Sequence, residues 1–207
     1  MKRLGIVLGS CLLAACSGTN TDGDGSVGPT DLLDPGHIES PPPAQGASVV
    51  SLEPVSPAPA GKTCPAVSVT SAIPDVSGSD MLDSDTYLHH VIDGEGVVVF
   101  KCTVVAKATV TFNGAMQQAG HGLQISNGVL AENRKGTADI TLLDSQHLSS
   151  TLKGTSCFVD AAAGPGNNFQ LKAGSMWASF DCPSLEAAPN DLCRASGFFV
   201  LENCAQK

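Results

Sequence analysis

Six cysteines set the terms on which this chain can fold. Cys64, Cys102, Cys157, Cys182, Cys193 and Cys204 are well separated, and no two lie closer than eleven positions. Zinc sites draw on cysteine pairs about two to four residues apart, and redox motifs on Cys-x-x-Cys. Neither spacing occurs among these six. An even set of dispersed cysteines reads as disulfides in an oxidising compartment, with fifteen possible connectivities. The stretch from Cys182 to Cys193 carries Pro183, Pro189 and Asn190, as a closed surface loop does, so Cys182–Cys193 is the first pairing expected.

Two further cysteines, Cys11 and Cys16, belong to a different kind of segment. Lys2 and Arg3 precede an apolar run from Leu4 to Ala15, which is shorter than the roughly 20 residues a membrane-spanning helix needs. It reads as a secretory signal over residues 1–15. Leu13-Ala14-Ala15-Cys16 resembles the lipobox of bacterial lipoproteins. The resemblance implies cleavage before Cys16 and lipidation of Cys16, palmitate included. Ser17 stands where some lipoproteins carry the Asp that holds them on the inner membrane. The expected location is therefore the cell envelope, anchored by lipid to the outer membrane or cell surface.

Charge excludes one class of partner. The chain has 11 basic and 20 acidic residues, a formal charge of −9. Loss of Lys2 and Arg3 with the signal would deepen this to −11. Nucleic-acid binding needs clustered Lys and Arg, so no nucleic-acid partner is expected.

Residues 16–62 differ from the rest. Between Ser17 and Lys62 lie eight of the 13 prolines, seven of the 22 glycines and no aromatic residue. Six acids there face the single base Lys62. Such a composition buries too little apolar surface to offset its ordering entropy, and reads as a disordered acidic tether. Ala47 to Leu52 is the one apolar patch within it, with a first strand as the alternative reading.

Residues 63–207 read as an all-β domain. About ten short runs recur at spacings near ten residues, the pattern of an antiparallel β-sandwich or barrel. Gly96 to Ala106 is apolar on both alternations and reads as a strand covered on both faces. Lys107 to Phe112 alternates, and Asn113-Gly114 then reads as a turn, as does Asn127-Gly128 after Gly122 to Ser126. Ser184 to Ala188 and Ala131 to Lys135 are short helical candidates. Trp177 alternates away from Phe180, which suits packing against a second sheet. The segment Trp177 to Cys204 resembles the closing segments of secreted lipoproteins of myxobacteria. That resemblance implies a shared fold and attaches no activity.

Signatures of catalysis are missing: there is no Gly-x-Ser-x-Gly, no His-Glu-x-x-His and no phosphate-cradling loop. Asp144, Ser145 and His147 are triad residue types packed too closely in sequence for a triad, and read as a solvated turn. His121, between two glycines, reads as a turn residue. Asp80, Asp83 and Asp85 offer oxygen ligands for Ca²⁺, without the EF-hand spacing. Trp177 and Tyr87 are the only Trp and Tyr, too few for the aromatic platforms of a carbohydrate cleft. The expected function is non-enzymatic: a lipid-anchored β-domain that binds a protein or an envelope polymer, or serves as a structural surface component. The alternatives are a hydrolase with His89, His90 or His147 as base and a calcium-dependent adhesion module.

Overall fold

The computed structural model describes residues 41–65, 69–73, 91–145, 148, 150–161, 171–187 and 189–207. Cys16, the rest of residues 1–40, and Asp80, Asp83 and Asp85 lie outside them. Ten strands form among the described residues: β1 (Gln45–Pro54), β2 (Val69–Ile73), β3 (Val91–Ile92), β4 (Val99–Ala106), β5 (Val110–Gln118), β6 (His121–Leu130), β7 (Lys135–Asp144), β8 (Leu152–Asp160), β9 (Met176–Glu186) and β10 (Leu192–Glu202). They make one antiparallel sheet in the order β2-β1-β10-β9-β8-β7-β6-β5-β4, with β3 extending the β2 edge of β1. The sheet curls into a half-barrel, and among the described residues no second sheet packs on it.

Alternation decides which residues face inward. On β5, Val110, Phe112 and Met116 are buried while Thr111, Asn113 and Gln117 are exposed. On β9, Met176, Ala178, Phe180 and Cys182 are buried on one face, and Trp177 alternates away from Phe180 as expected. The curl brings distant strands together through this core. Phe112 of β5 stacks on Phe199 of β10 with ring centroids 6.0 Å apart, and Phe180 lies 6.3 Å from the same ring. Gly46 of β1 has to be glycine, because a Cβ there would sit 2.5 Å from the Phe100 ring of β4.

A row of bulges accompanies the curl. The register shifts between Phe112 and Gly114, between Ser126 and Val129, and between Ala138 and Ile140 on three successive strand pairs. Each bulge adds twist and bends its strand. Side chains satisfy the freed backbone in a relay. Asn127 N–H donates to Asn113 Oδ1 at 3.0 Å, Asn127 Nδ2 donates to Asp139 Oδ2 at 2.7 Å, and Ser156 N–H donates to Asp139 Oδ1 at 2.9 Å. Asn127 and Ser156 both adopt left-handed φ of 54°. Asn113-Gly114 and Asn127-Gly128 are therefore bulges inside β5 and β6, and the expected turns are corrected. The turn between these strands is Ala119-Gly120, both at positive φ, as a two-residue hairpin requires.

Several other expectations are also corrected. The tether expected over residues 16–62 stops short: Gln45–Pro54 is a strand paired on both edges, to β10 and to β2. Val50 and Leu52 fill the core there, and the prolines that coloured the composition flank the strand, five before Gln45 and three from Pro54 onward. β4 is not covered on both faces: Phe100 and Val104 are buried on one, while Val99 and Lys101 are exposed on the other. Ser184 to Glu186 finish β9, and Ala131 to Arg134 form the β6–β7 turn, closed by Arg134 N–H donating to Ala131 O. Trp177 lies half-buried on the outer face, stacked on Phe198 at 5.0 Å.

All six cysteines pair, as Cys64–Cys193, Cys102–Cys204 and Cys157–Cys182. The expected Cys182–Cys193 bridge is overturned by hairpin register, which sets Ala195 opposite Cys182 and Leu185 opposite Cys193. Cys157 on β8 is the residue the register brings beside Cys182. The two long links span 129 and 102 residues. Loops of that length contribute on the order of 4–5 kcal/mol each by chain entropy. Three disulfides mark the chain as extracytoplasmic.

Asp139 is the hub of the bulge row. The Asn127 amide, and next the Ser156 N–H, hold its carboxyl below the ordinary carboxylate range. Its folded pKa is below its unfolded one, so its contribution is complete at neutral pH and fades as pH falls through the folded pKa. Asp139→Ala is expected to lower stability at neutral pH by about 1 kcal/mol in urea unfolding. The gap from wild type should close as pH drops below about 4. A gap that stays constant with pH contradicts this role.

Candidate functional site

The sequence-derived candidates are only partly brought together. His89, His90 and His147 lie outside the described residues. Asp144 is the last residue of β7 and is buried, 2% exposed, so the expected solvated turn is corrected at that position. Ser145 begins the turn and its N–H donates to Gly120 O at 3.0 Å.

Asp144 faces a residue the sequence reading placed in a turn. His121 opens β6 and is 5% exposed. Its Nδ1 lies 3.1 Å from Ser71 Oγ on β2 and 3.7 Å from Asp144 Oδ2 on β7. Three strands distant in sequence thus supply Ser, His and Asp to one cluster. The geometry differs from a nucleophilic triad. A triad uses one ring nitrogen toward the serine and the other toward the carboxylate. Here both oxygens face the same nitrogen, so the ring cannot relay a proton between them. The cluster instead joins strand β2 to the opposite wall of the half-barrel. A void of about 10 Å³ beside it, lined by Ser48, Ser71 and Asp144, has room for about one water.

The larger concavity is on the outside. A groove of about 260 Å³ runs across β4 to β7. Register aligns two rows of side chains perpendicular to the strands. One row reads Val99, Gln117, Gly122 and Leu143; the other contains Ala115, Gln124 and Thr141. The small residues Ala115 and Gly122 make the floor, and Gln117, Gln124, Thr141 and Thr151 offer amides and hydroxyls around it. Among the described residues no charged side chain lines the groove itself, and register sets Lys101 beside Ala115 and Lys153 beside Thr141 at the two ends of the second row. It can take neutral, partly apolar chains with hydrogen-bonding groups, which the two glutamine amides can meet as donors and acceptors. Among the described residues no cluster of three or more His, Cys, Asp or Glu could hold a metal ion.

The groove left no trace in the sequence reading, because its residues are scattered over β4 to β7 and meet only through register. The pairing of Ser71 with His121, 50 positions apart, likewise arises only through the fold.

The interior cluster makes a testable statement about stability. Ser71→Ala removes the hydroxyl that ties β2 to β6 and is expected to cost about 1 kcal/mol. Hydrogen exchange should quicken in β2 ahead of the rest of the sheet. Unchanged exchange in β2 contradicts a pinning role. Compared with known proteins, the chain matches no family model, no curated protein and no solved structure.

Proposed function

We propose that this chain is an exported lipoprotein whose half-barrel is displayed at the cell envelope and acts by binding. The observation that carries the reading is the pairing of all six cysteines between Cys64 and Cys204 into three disulfides, which require an oxidising compartment. The lipobox-like Leu13-Ala14-Ala15-Cys16 supplies the anchor, with Cys16 as the acylated residue on the outer membrane. The outer groove over β4 to β7 is the contact surface. Its uncharged amide and hydroxyl rim over an apolar floor suits a neutral envelope polymer or a protein segment.

Two measurements test this. Labelled palmitate should enter the wild-type protein and be lost in Cys16→Ser, which should also leave the membrane fraction. A Cys16→Ser protein that stays labelled and membrane-bound contradicts the anchor. A photocrosslinker at Gln124 should capture an envelope component, and Ala115→Trp, which fills the groove, should abolish capture without lowering the melting temperature. Capture that persists in Ala115→Trp contradicts the groove as the contact.

A further inference from the structure

The meander leaves β4 at one end of the sheet, with β5 on one edge and, among the described residues, no strand on the other. An edge of this kind presents unpaired N–H and C=O groups, and proteins guard it with charge, proline or a cover. The β4 sequence Val99-Phe-Lys-Cys-Thr-Val-Val-Ala106 has one charge, no proline and several β-branched residues. Its own side chains guard it poorly.

The cover comes from elsewhere in the same chain. Backbone groups of Phe100, Cys102 and Val104 point to the outer edge, and the chain meets them one by one. Phe100 N–H donates to Asp93 Oδ1 at 2.9 Å. Ala205 N–H donates to Cys102 O at 3.0 Å, and Val104 N–H donates to Ala205 O at 2.9 Å. Gly174 N–H donates to Val104 O at 2.9 Å. Ala205 thus forms a one-residue parallel bridge with Thr103. Asn203, at φ 54°, turns the chain out of β10 toward this position. The Cys102–Cys204 disulfide then fixes the bridge in place.

We infer that residues 203–207 are a strap that occupies the β4 edge, and that the partner the bare edge accepts is β4 of a second copy of this chain. The edge is self-complementary about Cys102. An antiparallel pair centred there sets Phe100 opposite Val104 and Val99 opposite Val105. It also sets Lys101 opposite Thr103, so the one charge of the strand avoids its own copy. Phe100, Cys102 and Val104, the residues that now bond to Asp93, Ala205 and Gly174, are the ones that would exchange bonds across the two-fold. The exposed Val97 and Val99 lie beside this edge and would gain cover on pairing. The disulfide favours the strap over a second copy by keeping Ala205 at high effective concentration beside Thr103. This inference is independent of what the outer groove binds.

The test frees the strap in the full-length chain with Cys102→Ser and Cys204→Ser together. Sedimentation should show wild type monomeric at every concentration and the double variant dimerising as concentration rises. Adding Thr103→Lys, which would face Lys101 of the other copy, should return it to monomer. A double variant that keeps the other two disulfides, melts cooperatively and stays monomeric overturns the inference. So does a dimer that Thr103→Lys leaves intact. If the double variant does not fold, Ala205→Pro keeps the disulfide and removes only the N–H that bonds Cys102. Its Val104 amide should then exchange about tenfold faster, the equivalent of one lost hydrogen bond. Unchanged exchange at Val104 overturns the strap.

Discussion

Among the described residues the meandering sheet has no second layer against which to bury its apolar face, and it bends until its own strands meet. Everything else in this domain depends on that bend. Phe112 on β5 reaches Phe199 on β10, and Phe100 on β4 reaches Gly46 on β1, only because the sheet curls. Local twist comes from the bulges of β5, β6 and β7, whose displaced backbone is caught by Asn113, Asn127 and Asp139. Long-range closure comes from Cys102–Cys204, which ties β4 at one end of the sheet to the chain just beyond β10. The first effect shapes neighbouring strands, and the second fixes the ends of the arc.

The same curl organises the two concavities. Inside, it brings β2 close enough to β6 for Ser71 to meet His121, with Asp144 on the adjoining strand. Outside, the rows of β4 to β7 leave a depression wherever the register places small residues, at Ala115 and Gly122. A buried polar cluster and an uncharged outer groove have different consequences. The cluster orders an edge strand, whereas the groove offers surface for recognition. The proposed role, binding from a lipid anchor, would draw on both a rigid frame and an accessible face.

The period-two alternation of β5, β7 and β9 was legible in the sequence, because an inward face must be apolar wherever its strand lies in the sheet. The dispersal of six cysteines was equally legible as a disulfide set. What was not legible depends on register. Asn-Gly pairs signal a turn by local chemistry, yet at Asn113 and Asn127 neighbouring strands accept the same left-handed or bulged backbone within a sheet. Ala47 to Leu52 stands out as an apolar patch with a strand as its alternative reading, but its pairing on both edges as β1 depends on register. Cys182 and Cys193 are close in sequence, but hairpin pairing slides them past one another and gives Cys182 to Cys157. The Ser71–His121–Asp144 cluster joins three strands whose proximity no local pattern encodes.

Closure of the arc is the claim on which the core, the edge strap and the groove all rest. Peptide mapping of the unreduced, alkylated protein tests it most directly. The expected result is a peptide linking Cys102 to Cys204, together with Cys64–Cys193 and Cys157–Cys182. A peptide joining Cys182 to Cys193, or an alkylated Cys102, would contradict it.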